Sequence, residues 1–152
     1  VRFTIDSNVL VYSIDLAFPE KSAIARRILA AAPFADAVLT AQALGEFVKV
    51  VRRKFPNQSE TARAQANDWA QLLPVVSTTW PTINTAAVFA QRYRLQFWDS
   101  VIWQSARSVN AEILLSEDLQ DGLTLEGMTV LNPFDPANSD RVEALLQSSA
   151  AP

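Results

Sequence analysis

The chain has 152 residues, 49% of them hydrophobic, with three Gly and no low-complexity tract; this is the composition of a compact folded domain and excludes a disordered or fibrous chain. It contains neither Cys nor His, so disulfides, thiolate nucleophiles, Ser-His-Asp catalysis and His- or Cys-held zinc are excluded as well. Thirteen basic against sixteen acidic residues give a net charge of −3, which argues against nonspecific whole-surface binding of nucleic acid but not against a local basic groove.

No apolar run approaches the roughly 18 residues of a membrane span, and no basic-then-apolar signal segment opens the sequence. The expectation is a cytoplasmic location with no membrane partner. An enzyme with this composition works with carboxylates, hydroxyls, amides, Lys and Arg, and a hard metal ion such as Mg²⁺ or Mn²⁺.

In chain order, Val1 to Ile5 reads as a short buried strand that runs into the polar turn Asp6-Ser7-Asn8, and Val9 to Ile14 as the start of a helix. Phe18-Pro19-Glu20 leads into a helix over Ala23 to Ala32, with Ile24, Ile28 and Leu29 at helical spacing and Pro33 ending it. Ala37 to Thr40 is a second apolar strand. From Ala41 the period becomes helical, with Leu44, Phe47, Val48, Val51 and Phe55 on one stripe and Arg52-Arg53-Lys54 at the carboxyl end, where the helix dipole favours cations.

Ser59 opens the next helix, whose stripe is Ala62, Ala66, Trp69, Leu72 and Leu73. Pro74 to Ser77 is a third strand, Ile83 to Tyr93 and Trp98 to Val109 are helices, and Ile113 to Ser116 is a fourth strand running into Glu117-Asp118. Met128 to Leu131 is a fifth strand, closed by Asn132-Pro133. Ala137 to Leu146 is a terminal helix, after which the chain is expected to fray. Short apolar strands alternating with helices predict an α/β domain around a mostly parallel sheet covered on both faces. The expected organisation is one domain over 1–152, with its core in about 1–132 and a C-terminal segment from 133.

The acidic positions each have two readings. Asp6 lies at the carboxyl end of a buried strand, where α/β proteins bind ligands, and fits a helix N-cap equally well. Glu46 shares a face with Ala43 and Val50, so it either points into a crevice or is solvated. Asp99 opens an apolar face formed with Ile102, Trp103 and Ala106, and it too fits a helix cap. Glu117, Asp118 and Asp121 form either a plain acidic loop or a second strand end bearing carboxylates at the edge where Asp6 lies. If Asp6, Asp99 and Asp118 converge there, with Glu46 reaching in, each like-charge pair ~4 Å apart costs about 4 kcal/mol at an effective dielectric of 20. A divalent cation reverses the sign of that energy and activates water for phosphodiester hydrolysis.

The ordered set of Ile5-Asp6-Ser7-Asn8-Val9-Leu10, Glu46 on a mid-chain helix, Phe97-Trp98-Asp99-Ser100 and Leu114-Leu115-Ser116-Glu117-Asp118-Leu119-Gln120-Asp121-Gly122 resembles the PIN-domain family, in particular VapC-type toxin ribonucleases of toxin–antitoxin pairs. The resemblance spans Ile5 to about Asn132. It implies a three-layer α/β/α domain with a mostly parallel five-stranded sheet, and Mg²⁺- or Mn²⁺-dependent endoribonuclease activity on RNA. It further implies a cognate antitoxin and a homodimer. On that resemblance the catalytic carboxylates are Asp6, Glu46, Asp99 and Asp118, with Asp121 a fifth candidate metal ligand and Asn8 and Ser116 supporting polar groups. Asp6 and Asp99 are expected to touch the metal, Glu46 and Asp118 to hold a second ion or orient water. One oxygen of Asp6 is expected to cap its helix while the other faces the metal.

For the substrate, Arg26, Arg27, Arg52, Arg53, Lys54, Arg92, Arg94 and Arg107 are candidates for a phosphate groove, though most read as solvated helix faces. The four Trp are expected mostly in the core, with any exposed one beside the site available to stack a base. The alternative function is a catalytically silent PIN-like module that binds RNA or protein. A haloacid-dehalogenase-like phosphatase is disfavoured because position 8 is Asn, not Asp, and a receiver domain because no Asp follows Val75-Val76.

Overall fold

The computed structural model describes residues 1–147; the segment where fraying is expected lies outside the described residues. In chain order the elements are β1 (Phe3–Ile5), α1 (Ser7–Tyr12), α2 (Pro19–Ala31), β2 (Ala37–Thr40), α3 (Ala41–Lys54), α4 (Ser59–Leu72), β3 (Val75–Val76), α5 (Trp80–Tyr93), α6 (Phe97–Arg107), β4 (Ile113–Leu115), β5 (Thr124–Leu125), β6 (Met128–Leu131) and α7 (Ser139–Gln147).

Every residue of β1 and β2 is buried, so these strands need apolar side chains on both faces, and the sequence supplies them as unbroken runs. The one polar side chain of β1, Thr4, donates its hydroxyl to Val38 O at 2.9 Å, which satisfies it inside the sheet. Strand order is β3-β2-β1-β4-β6-β5, with every pairing parallel except the antiparallel β5–β6. The five expected strands are all present and a sixth is added. Strand β5 pairs Thr124 with Thr129 and Leu125 with Met128. The two residues between them, Glu126 and Gly127, both have positive φ, at 48° and 84°, which is the backbone of a two-residue hairpin turn. Thr124-Leu125 is too short to show a period and, unlike the equally short Val75-Val76 of β3, is not an apolar run, so it escapes a pattern search.

Two helices start earlier than their apolar stripes suggest. Helix α2 begins at Pro19, in its first turn, and α5 at Trp80, where Thr79 Oγ1 accepts the N–H of Thr82 at 3.4 Å and Pro81 occupies the first turn. Proline there removes only a donor that has no partner within the helix. The core closes around Phe47 against Trp69, with ring centroids 4.9 Å apart, and Phe89 against Trp103 at 5.6 Å. Val142 and Leu145 of α7 are buried against the same core.

This strand order positions the site. From β1 the sheet grows through β2 and β3 on one side and through β4 and β6 on the other, so the winding reverses between β1 and β4. Crevices open at such switch points, beyond the carboxyl ends of the strands. Among the described residues no helix is long and apolar enough to cross a membrane.

Candidate active site

Asp6 is the first residue after β1, and its N–H donates to Leu115 O, the last residue of β4, at 2.9 Å. The two strand ends are thereby locked side by side, with Ile5 in register with Leu115. Asp118 follows three residues beyond that point on the β4 side. Glu46 and Asp99 arrive from helices. Helix α3 leaves the carboxyl end of β2, so its first turns stand at the same edge. Helix α6 runs to Arg107 and the chain turns back through Asn110, at φ 63°, into β4; the first turn of α6, with Asp99, is therefore returned to the carboxyl edge.

Asp6 is 4% exposed and uses both carboxylate oxygens within the protein. Oδ1 accepts the Ser7 N–H at 2.7 Å, which makes Asp6 the N-cap of α1. Oδ2 accepts the Ser116 hydroxyl at 2.7 Å and the Asn8 side-chain amide at 3.1 Å. The oxygen expected to face a metal is thus already held by two donors. Since a carboxylate offers about four acceptor positions, one remains open at Oδ1. Ser116 Oγ in turn accepts from Asn8 Nδ2 at 3.1 Å and from the Asp118 N–H at 3.2 Å, and Asn8 Oδ1 accepts the Glu117 N–H at 3.2 Å. Asn8 and Ser116 therefore tie the turn after β1 to the loop after β4.

Glu46 is half-buried and held by Ser7 Oγ, donating to Oε2 at 2.9 Å, and by Gln42 Nε2, donating to Oε1 at 3.0 Å. Asp99 caps nothing, because the N-cap of α6 is Gln96. Among the described residues neither the Asp99 nor the Asp118 carboxylate has a hydrogen-bond partner, and no Lys or Arg forms an ion pair with any of the four acids.

The charges of these four groups act on one another. Burial pushes the Asp6 carboxyl up to about 7; the hydrogen bond from Ser116 opposes that shift, while the charges of Asp99 and Glu46 add to it. Asp99 is raised to about 6, first by burial and then by Glu46 and Asp118. All four acids are brought into one mutually repelling set. Asp121 is engaged elsewhere: its Oδ1 accepts the Asn132 N–H at 2.8 Å and Asn138 Nδ2 at 3.0 Å, pinning the acidic loop to the segment before α7.

Among the described residues no three acidic side chains already stand at metal-binding spacing. The donor set itself fits a hard divalent cation: four carboxylates, no soft ligand, and open oxygens on Asp99 and Asp118.

Two supports of Glu46 were not apparent beforehand. Gln42 lies one helical turn before Glu46, a spacing at which side chains meet, so that contact had a signal. Ser7 had none, because its partner is 39 residues away in sequence. Of the four Trp, Trp69 and Trp103 are buried as expected, whereas Trp80 and Trp98 are 72% and 47% exposed, which corrects the expectation of a mostly internal set. Among the candidate groove cations, Arg27 pairs with Glu143, Arg92 and Arg107 both pair with Glu126, and Arg26 donates to Ser13 O.

The parallel sheet, its switch point and the carboxylates gathered there define a PIN domain. The model of that family matches residues 3–120, and the chain belongs to it. Among solved structures the chain resembles Mycobacterium tuberculosis VapC20, a Sarcin-Ricin loop cleaving toxin, with a TM-score of 0.63 at 16% identity over 76% of this chain and 89% of that one. It resembles likewise a toxin–antitoxin complex from Klebsiella pneumoniae (TM-score 0.61, 20% identity, 86% and 96% covered) and VapBC2 from Rickettsia felis, bound to a DNA fragment from its promoter (0.60, 12%, 87% and 98%). At these identities the likeness is one of fold. No curated protein matches the chain.

Proposed function

We propose that this protein is a Mg²⁺- or Mn²⁺-dependent endoribonuclease of the VapC type, the toxin of a toxin–antitoxin pair. The observation that carries the reading is the set of four carboxylates at the switch point, with Asp6 and Asp99 driven up in pKa and, among the described residues, no basic side chain paired to any of the four. A fold does not maintain such repulsion for stability alone. Asp6 and Asp99 are the residues we assign to the metal, with Glu46 and Asp118 completing or flanking its shell; Asp121 is left out because its Oδ1 holds Asn132 and Asn138. When bound, the ion supplies the Lewis acid that offsets phosphate charge and activates water.

The chain's own part is to hold the acids in place. Ser116 and Asn8 fix the plane of the Asp6 carboxylate, and Ser7 and Gln42 fix Glu46, the supporting layer that metal sites require. The toxin assignment is supported by the family and by three solved structures of like fold, one a Sarcin-Ricin loop cleaving toxin and two containing toxin–antitoxin assemblies. An antitoxin partner, a homodimer and a cytoplasmic setting belong to the same reading, as does a single domain spanning the chain.

The test is cleavage of total cellular RNA with and without Mg²⁺. The wild type should cut only with the ion present, and Asp99→Asn should lose more than about 100-fold in rate. Cleavage that persists in EDTA, or an unimpaired Asp99→Asn variant, overturns the assignment.

A further inference from the structure

A cleft of about 340 Å³ opens directly beside Asp118. Its lining combines two aromatic rings, Tyr12 and Phe18, with two cations, Arg53 and Lys54 from the last turn of α3, and it also includes the carboxylate of Asp15. Ser7, Asn8 and Asp118 join it to the carboxylate set. We infer that this cleft is the subsite for one nucleotide of a single-stranded RNA, its base lying against Phe18 and its backbone phosphate held by Arg53 and Lys54. The inference rests on the ribonuclease reading.

Free positive charge is the first argument. Among the described residues six basic side chains form ion pairs: Arg2, Lys21, Arg27, Arg63, Arg92 and Arg107. Arg53 and Lys54 are exposed and have no side-chain partner among the described residues. The helix dipole explains why cations sit at the end of α3, but not why they line the same cleft as two aromatic rings and Asp118.

The second argument is that the aromatic lining is held ready. Phe18 is 47% exposed, yet its ring meets Tyr12 edge-on at 5.5 Å between centroids, and Tyr12 meets Phe134 at 5.0 Å. Lys21 Nζ lies 5.0, 5.8 and 5.7 Å from the Tyr12, Phe18 and Phe134 centroids and is neutralised by Glu117 at 2.6 Å. The loop carrying Phe18 is fixed by Asp15, whose Oδ1 accepts the Ala17 N–H at 3.1 Å. A half-exposed ring held by its neighbours and sharing a cleft with unpaired cations is the combination that stacks a base and grips its phosphate. Only an unpaired base can reach it, which selects single strands over duplex. The volume is at the lower end of small-ligand sites, enough for one nucleotide and not for a helix.

The test is fluorescence anisotropy of a labelled oligouridylate in EDTA, where the RNA survives. Three variants accompany the wild type: Phe18→Leu, Arg53→Ser with Lys54→Ser, and Arg94→Ser with Arg141→Ser as an off-cleft loss of two charges. Circular dichroism of each checks its folding. Phe18→Leu should weaken binding about 5- to 100-fold. The Arg53/Lys54 pair should weaken it at least tenfold and flatten the salt dependence by about 1.4 in slope. The off-cleft pair should do less, and a duplex of equal length should bind more weakly than the single strand. Wild-type affinity in both cleft variants, or an equal loss in the off-cleft pair, overturns the subsite. Metal-dependent cleavage with undiminished binding by the cleft variants sinks the subsite alone, and cleft-dependent binding without cleavage in Mg²⁺ sinks the ribonuclease reading alone.

Discussion

Asp6 and Asp99 face the same repulsion with different attachments, and that difference decides what each substitution does. Asp6 accepts three hydrogen bonds, so replacing it by Asn turns an amide toward donors and damages the fold as well as the site. The Asp99 carboxylate has no hydrogen-bond partner among the described residues, so Asp99→Asn removes charge and little else. Without metal at pH 8, Asp99→Asn should melt a few degrees above the wild type, and a lower melting temperature would contradict the repulsion.

The pH dependence follows in sign. Asp6 titrates near 3.8 in the unfolded chain and at about 7 in the fold. Between those values the folded state holds a proton that the unfolded chain has released, so the group favours folding most below pH 4. That contribution is lost as pH rises through 7. In EDTA, stability should therefore fall between pH 5 and pH 7.5, by a few kcal/mol at most at about 1.4 kcal/mol per unit. On the proposed metal site, added Mg²⁺ should offset the loss at the upper end, since a cation favours ionised carboxylates. Ser116→Ala removes the strongest influence holding the Asp6 carboxyl down and takes away the acceptor shared by Asn8 Nδ2 and the Asp118 N–H. It should cost about 1–3 kcal/mol by denaturant titration. It should also move the acidic limb of the cleavage profile to higher pH.

At the level of elements, legibility tracked periodicity. Helix α3 could be read almost to the residue because its apolar stripe runs its whole length and its ends carry their own signals. Thr40 Oγ1 accepts the Ala43 N–H at 3.1 Å at one end, and the cations preceding Pro56 mark the other. Strand β5, and with it the hairpin to β6, could not be read, because Thr124-Leu125 is not an apolar run as Val75-Val76 of β3 is, and its turn is written in Glu126 and Gly127, of which only the glycine is a familiar signal. With φ at 84°, Gly127→Ala should destabilise the protein by about 1–2 kcal/mol. RNA cleavage should persist under conditions where the variant stays folded, because the hairpin forms the sheet's far edge. A loss of activity without loss of folding would place that edge in the site.

For the molecule as a whole, the acids could be ranked from sequence but not assembled from it. Asp6 and Asp118 follow strands whose ends were predictable, and parallel pairing of β1 with β4 makes them neighbours. That adjacency is a property of strand order, which no local pattern states. The cleft of Phe18, Arg53 and Lys54 is less legible still, because its walls come from a loop and a helix end that meet only in the fold. The same topology explains why one chain end can be distant in sequence from its function: Asp6 depends on Ser116, 110 residues away, for one of its hydrogen bonds.

The central claim is that Asp6, Glu46, Asp99 and Asp118 together form one site for a divalent cation. Calorimetric titration of Mn²⁺ into the metal-free protein at pH 8 tests it most directly, repeated at pH 5 and with Asp99→Asn. Saturable binding by the wild type at pH 8, weakened at pH 5 and lost in Asp99→Asn, is the predicted result. No binding by the wild type, or undiminished binding by Asp99→Asn, would contradict it.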